Sequence, residues 1–158
     1  ALSMKREGEK LSVWLSNESG KTEEYEVQLF VKNMKCKELA LEGTSGDIKA
    51  FSAKEILSLN LKEWEEKKYK IFFEAKVKTK SGVALREVET MVPYKYLELE
   101  KSNLQIEIEE QEKAFEITVK SDCFTPFVKI QVLKEDIWNG TFENAEDMRN
   151  RIKILTLN

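Results

Sequence analysis

The sequence predicts an all-β protein made of two antiparallel β-sandwiches in tandem. Three observations point there. Apolar residues recur with a period of two along much of the chain, the period at which side chains change faces on a strand. Polar, turn-forming clusters interrupt that alternation roughly every ten residues, and no long stretch sustains a helical period. With 41% apolar residues among 158, the chain can build real cores, so its 35% charged residues belong to a solvated surface and not to a disordered chain.

In order along the chain, Leu11, Val13 and Leu15 alternate with Ser12, Trp14 and Ser16, and Asn17-Glu18-Ser19-Gly20-Lys21 ends that strand. Tyr25, Val27, Leu29 and Val31 then alternate with Glu24, Glu26, Gln28 and Phe30. Gly43-Thr44-Ser45-Gly46-Asp47 reads as the next break. Ser52-Ala53-Lys54-Glu55 has capping-box spacing, but Leu57, Leu59 and Leu61 alternate behind it with Ser58, Asn60 and Lys62, which favours a strand. The clearest run sets Tyr69, Ile71, Phe73, Ala75 and Val77 against Lys70, Phe72, Glu74, Lys76 and Lys78. Lys80-Ser81-Gly82 turns it into Val83–Val92 as a hairpin, with Gly82 supplying the positive φ.

Pro93 cannot donate to a ladder and suits a strand end or linker. The pattern restarts after it with Leu104, Ile106 and Ile108, then Phe115, Ile117 and Val119, then Val128, Ile130 and Val132, and last Ile152–Leu157. Glu110-Gln111-Glu112-Lys113 and Asn139-Gly140-Thr141 are the breaks, and Asn144–Asn150 suits a turn of helix. A boundary at Pro93–Lys101 gives domains 1–95 and 96–158. The charge balance changes sign across it: residues 1–95 carry 18 basic and 16 acidic side chains, residues 96–158 carry 8 and 13. Neither part offers the concentrated basic face that a phosphate backbone needs, so nucleic acid is not an expected partner. The second piece is small for an independent sandwich and is expected to lean on the first.

The chain contains no histidine, which excludes a Ser-His-Asp or Cys-His nucleophile and any His-ligated metal. Two cysteines cannot build a Cys-only zinc site. Cys36 and Cys123 fall on opposite sides of the boundary and read as two buried thiols, which leaves the compartment unassigned. Carboxylate pairs (Glu65-Glu66, Glu109-Glu110, Glu135-Asp136) are expected by chance among 29 acids, and no cleft for a sugar between them is evident. Asn17-Glu18 has the form of the acid/base dipeptide of some retaining glycosidases, yet it sits in a Ser-rich turn, and turn chemistry accounts for it. Asn17-Glu18-Ser19 and Asn139-Gly140-Thr141 both fit the glycosylation sequon. No phosphate loop, dinucleotide fingerprint or calcium loop is present, and neither a metal nor a cofactor is implied. No stretch approaches the roughly 18 apolar residues of a membrane span. The start, Ala1-Leu2-Ser3-Met4-Lys5-Arg6, has no apolar signal core and reads as the start of a piece cut from something larger.

The aromatic residues say more. Trp14 and Phe72 fall on the polar side of otherwise clean alternations, and Trp138 precedes Asn139-Gly140. Such rings serve as anchors against another domain, as ordinary buried residues, or as platforms for sugars. All three readings stay open for Trp14 and Phe72, while a strand-end core position is favoured for Trp138. Trp64 is expected to cap one end of the first sandwich.

The stretch Leu104-Gln-Ile-Glu-Ile-Glu-Glu, followed by Ala114–Val128 with its Ser121-Asp122-Cys123-Phe124 and Val128, resembles the C-terminal immunoglobulin-like domain of β-mannosidases in glycoside hydrolase family two. Asn139-Gly140-Thr141-Phe142 and the last strand fit it; Glu143–Met148 departs from it, lacking the aromatics and the Pro-Gly turn of that family. Lys10–Asn17 is similar to the opening strand of the preceding domain, and Met91-Val92-Pro93-Tyr94-Lys95 to the junction. The resemblance implies two immunoglobulin-like sandwiches that support a catalytic barrel upstream in the same polypeptide. That barrel carries the family's two catalytic Glu residues, so none is assigned here. It also implies a periplasmic or extracellular bacterial setting, without excluding the cytoplasm. A homo-oligomeric partner stays open beside the upstream domain. The rival reading is a free-standing carbohydrate-binding or cell-surface adhesion module.

Overall fold

The computed structural model describes residues 1–112, 114–133 and 144–156. The chain divides into two compact units, Ala1–Glu98 and Leu99–Asn158. It is all-β, with short helical turns between strands.

In the first unit, β1 (Leu2–Glu7), β2 (Lys10–Asn17) and β5 (Ser52–Asn60) form one antiparallel sheet in the order β1-β2-β5. The strands β3 (Glu23–Asn33), β4 (Glu38–Ile48), β6 (Ile71–Thr79) and β7 (Ala84–Glu89) form the other, ordered β4-β3-β6-β7. Connections that cross between the sheets make this an immunoglobulin-like sandwich. The alternating residues meet in its core: Leu11, Val13 and Leu15 share one buried cluster with Val27, Leu29, Val31, Ile71, Phe73, Ala75 and Val77. Each fully buried Val, Leu or Phe contributes about 1.5–3 kcal/mol over an exposed one, so this cluster is the main stabilising element of the unit.

The turns follow the expected chemistry. Gly82 sits at φ 91° and donates to the Thr79 carbonyl, closing the β6–β7 hairpin. Ser52–Glu55 is strand, not helix: Asn17, Ser16, Leu15 and Trp14 pair with Ser52, Ala53, Lys54 and Glu55. Trp64 lies on a short 3₁₀ turn, Lys62–Lys67, and packs against the core from one end, as its position suggested.

Two strands escape the alternation rule. β1 offers only Leu2 and Met4, and its ladder to β2 from Leu2↔Leu15 to Glu7↔Lys10 holds it. Gly43–Asp47, read above as a break, runs through the middle of β4, paired residue by residue with Gln28–Glu24. A four-stranded sheet facing a three-stranded one leaves β4 at an edge, so its inward positions need not be apolar. Tyr25 fills the space over Gly46, where an added Cβ would lie 3.0 Å from the phenol oxygen.

In the second unit, β8 (Leu104–Glu110) pairs with β9 (Phe115–Ser121), and β10 (Lys129–Val132) pairs with β11 (Ile152–Leu155). The helix α1, Ala145–Arg151, is capped by Asn144, whose side chain accepts from the Asp147 amide. The corner after β9 is tied by the residues of the Ser-Asp-Cys-Phe motif. Asp122 accepts from both the backbone and the side-chain amide of Asn103, each at 2.9 Å, and the Ser121 hydroxyl donates to the Cys123 carbonyl at 2.8 Å.

Candidate functional site

The aromatic residues singled out above have different fates. Phe72 projects from the polar side of β6, but it is only 2% exposed and lies outside the main core cluster. Its ring is not open to a glycan; the outer side of β6 is covered at this end, which the alternation could not reveal. Trp14, on the middle strand of the β1-β2-β5 sheet, is 37% exposed. Trp138 lies outside the described residues, as do Glu135-Asp136 and the Asn139-Gly140-Thr141 sequon.

Around Trp14 the register defines a polar surface. Its cross-strand partners are Ser3 on β1 and Glu55 on β5, and Ser12 and Ser16 flank it along its own strand. A bulge between Val13 and Trp14 brings the indole opposite Glu55 and leaves Ile56 in the core. Lys10 pairs with Glu55 at 2.7 Å and Lys5 with Glu7 at 2.6 Å. Hydrogen bonds from Lys10 and then Ser12 hold the Glu55 carboxyl below its ordinary range; the hydrogen bond and charge of Lys5 do the same for Glu7.

A second constellation sits on the outer side of the other sheet. Glu74 is 3% exposed and is held by Lys32 from β3 and Arg86 from β7, with Lys76 at 3.6 Å. Burial works against its charged form, yet the hydrogen bonds of Lys32 and Arg86 outweigh that and keep the carboxyl below its ordinary range. Lys32 and Lys76 also lie 4.9 and 5.2 Å from the Phe30 ring. Both oxygens of the buried carboxylate are held by cations of the neighbouring strands, so the cluster is structural.

The remaining candidates give no chemistry. The Asn17 amide nitrogen donates to the carbonyls of Lys21 at 2.7 Å and Lys49 at 3.2 Å, and its oxygen accepts from the Ser19 amide at 3.0 Å. At 9% exposure this side chain organises the β2–β3 and β4–β5 loops. It is not presented for glycosylation. Glu65 is tied to Lys68 and the Glu109-Glu110 pair ends β8, facing Glu116 and Phe115 across the hairpin. An open groove of about 500 Å³ holds Glu24, Glu26 and Asp47, but Lys78 and Lys80 line it too, and Lys80 pairs with Glu24 at 2.8 Å. A glycosidase acid needs a carboxyl raised toward neutrality. Glu7, Glu55, Glu74 and Asp122 are instead all held lowered. No group of three His, Cys, Asp or Glu that could hold a metal occurs among the described residues. Cys123 is buried as expected, but Cys36 is exposed, at the positive-φ turn between β3 and β4, and neither forms a disulfide.

The residue that sequence reasoning missed is Phe51. It stands at the β4–β5 turn, 78% exposed, at φ 50°, a conformation rare for an aromatic residue. Its only signal is its place between the two strands, Lys49-Ala50-Phe51-Ser52, where an apolar ring has no core to enter.

Residues 9–96 match a family described as Mannosidase Ig/CBM-like domain. No curated protein matches the chain. Among solved structures, it is similar in fold to the β-D-mannosidase from Dictyoglomus thermophilum, with a TM-score of 0.82 at 15% identity over 100% of the chain. The matched region is 21% of that enzyme, so the chain spans about a fifth of its length. A calcium-binding mutant of Bacteroides uniformis β-glucuronidase 2 aligns at a TM-score of 0.37 and 14% identity, over 56% of this chain and 12% of that one, a likeness too partial to bear on the fold.

Proposed function

The chain belongs to the Mannosidase Ig/CBM-like domain family, and on that premise we propose that it is a non-catalytic accessory region of a β-mannosidase-like exo-glycosidase. Its partner is then a catalytic domain elsewhere in the same polypeptide, and its role is mechanical: to pack against that domain and hold it in a stable form. The observation that carries this reading is the family match over residues 9–96, more than half of the chain. The whole-chain likeness in fold to one segment of a β-D-mannosidase supports it. Consistent with it, Glu7, Glu55, Glu74 and Asp122 are held below the ordinary carboxylate range, the opposite of what a general acid needs.

Incubation of the chain with an aryl β-mannoside should release no more phenol than a blank. Turnover above the blank, abolished by substituting a carboxylate, would overturn the reading. In the polypeptide that carries it, deletion of the chain should lower the melting temperature of the catalytic domain; an unchanged melting temperature would count equally against it.

A further inference from the structure

Of the large apolar residues on β1, β2 and β5, all but Trp14 are in the core or packed against it: Leu2, Met4, Leu11, Val13, Leu15, Ile56, Leu57 and Leu59. The outward side of this sheet therefore carries one indole among polar and small residues: Ser3 and Ser16 beside it, Ser58 and Ala53 exposed on the neighbouring strand, and the charged Lys5, Glu7, Lys10 and Glu55, with Ser12 buried on the same side. A dry protein interface is built on several apolar or aromatic anchors with charge depleted at its centre. This surface has the reverse composition. A sugar ring, by contrast, has an apolar C–H face that suits one aromatic plane and a rim of hydroxyls that needs donors and acceptors beside it.

We propose that the outward face of the β1-β2-β5 sheet is a saccharide-binding surface with Trp14 as its stacking platform. Glu55 and Lys10, paired at 2.7 Å, lie on the same face and offer an acceptor and a donor to ring hydroxyls, as do Ser3 and Ser16. Because Lys10–Glu55 and Lys5–Glu7 neutralise each other, the ligand class is a neutral hexose and not a uronate or a sugar phosphate. The surface is open, so dissociation constants on the order of 1–10 mM are expected. The inference is independent of the accessory role: binding without turnover leaves both standing, and absence of binding leaves the accessory role untouched.

The test is an NMR titration that follows the indole N–H signals of the three tryptophans. The probes are neutral β-1,4-linked mannotriose and cellotriose, with glucuronic acid as the charged comparison. One indole signal should move saturably with at least one neutral trisaccharide, and that signal should be absent in Trp14→Ala, whose binding should fall about tenfold or more. Glu55→Gln, which keeps the side-chain shape, provides a second reading should Trp14→Ala fold poorly, and should weaken binding several-fold. No indole movement with either trisaccharide, movement that persists in Trp14→Ala, or equal response to glucuronic acid would each overturn the proposal.

Discussion

The two units are built from the same kind of strand and bury it very differently. In the first, a three-stranded sheet faces a four-stranded one, and Leu11, Val13, Val27, Leu29, Ile71, Phe73 and Val77 are all sealed between them. In the second, the described strands form two pairs with no buried residue on them, and the buried residues among those described lie beside them: Cys123, Pro126 and Met148. Ile130 and Val132 alternate with Lys129 and Gln131 as cleanly as anything in β6, yet all four are exposed. Alternation thus guarantees that a strand has two unlike faces; whether the apolar one is covered depends on how many strands lie opposite.

The sharpest way to break this contrast is to delete a core ring. Phe73→Ala should cost the first unit about 3–5 kcal/mol, read as a lowered thermal or urea transition and lost amide protection along β3 and β6. A loss below about 1 kcal/mol would mean that the sandwich is not organised around that cluster.

The next effect tests whether the first unit also depends on a buried charge. Glu74→Gln should cost about 2–4 kcal/mol, because it leaves the half-buried Lys32 without its counter-charge. The pH dependence has a definite sign. Glu74 has an ordinary carboxyl value of 4.5, and the fold lowers it. Its contribution is therefore complete above that value and is lost as the pH falls through the lowered one. Urea melts between neutral and acid pH should show a steeper loss for the native chain than for Glu74→Gln, and parallel curves would refute the pairing.

The smallest effect belongs to the second unit. Ile130→Ser should cost only about 1 kcal/mol, since Ile130 is 41% exposed where Phe73 is sealed, and it should lower binding of a hydrophobic dye. A loss comparable to that of Phe73→Ala would erase the difference between the units.

Much of the fold was legible because its signal is local. The strands β2, β3, β6, β8 and β9 follow from apolar periodicity, and the β6–β7 turn from the φ that Gly82 alone adopts cheaply. The missed strands are those whose neighbours, not their own composition, make them strands: β4 holds its place by ten paired residues to β3 despite Gly43 and Gly46. The site was only half legible. Trp14 announced itself by breaking an alternation, and so did Phe72, but the same signal marks an exposed ring in one case and a buried one in the other. Phe51 broke no pattern at all, because the strand begins after it.

By itself the sequence determined the strand period, the turns, and the absence of histidine chemistry, since each is carried by residue type or by neighbours a few positions apart. Only the tertiary structure decided which polar sides stay open. It covered Phe72 and Glu74, left Trp14 in water, and exposed Cys36, which had read as buried. The reason is that burial is settled by whatever packs from far along the chain, and a single strand carries no record of what lies above it.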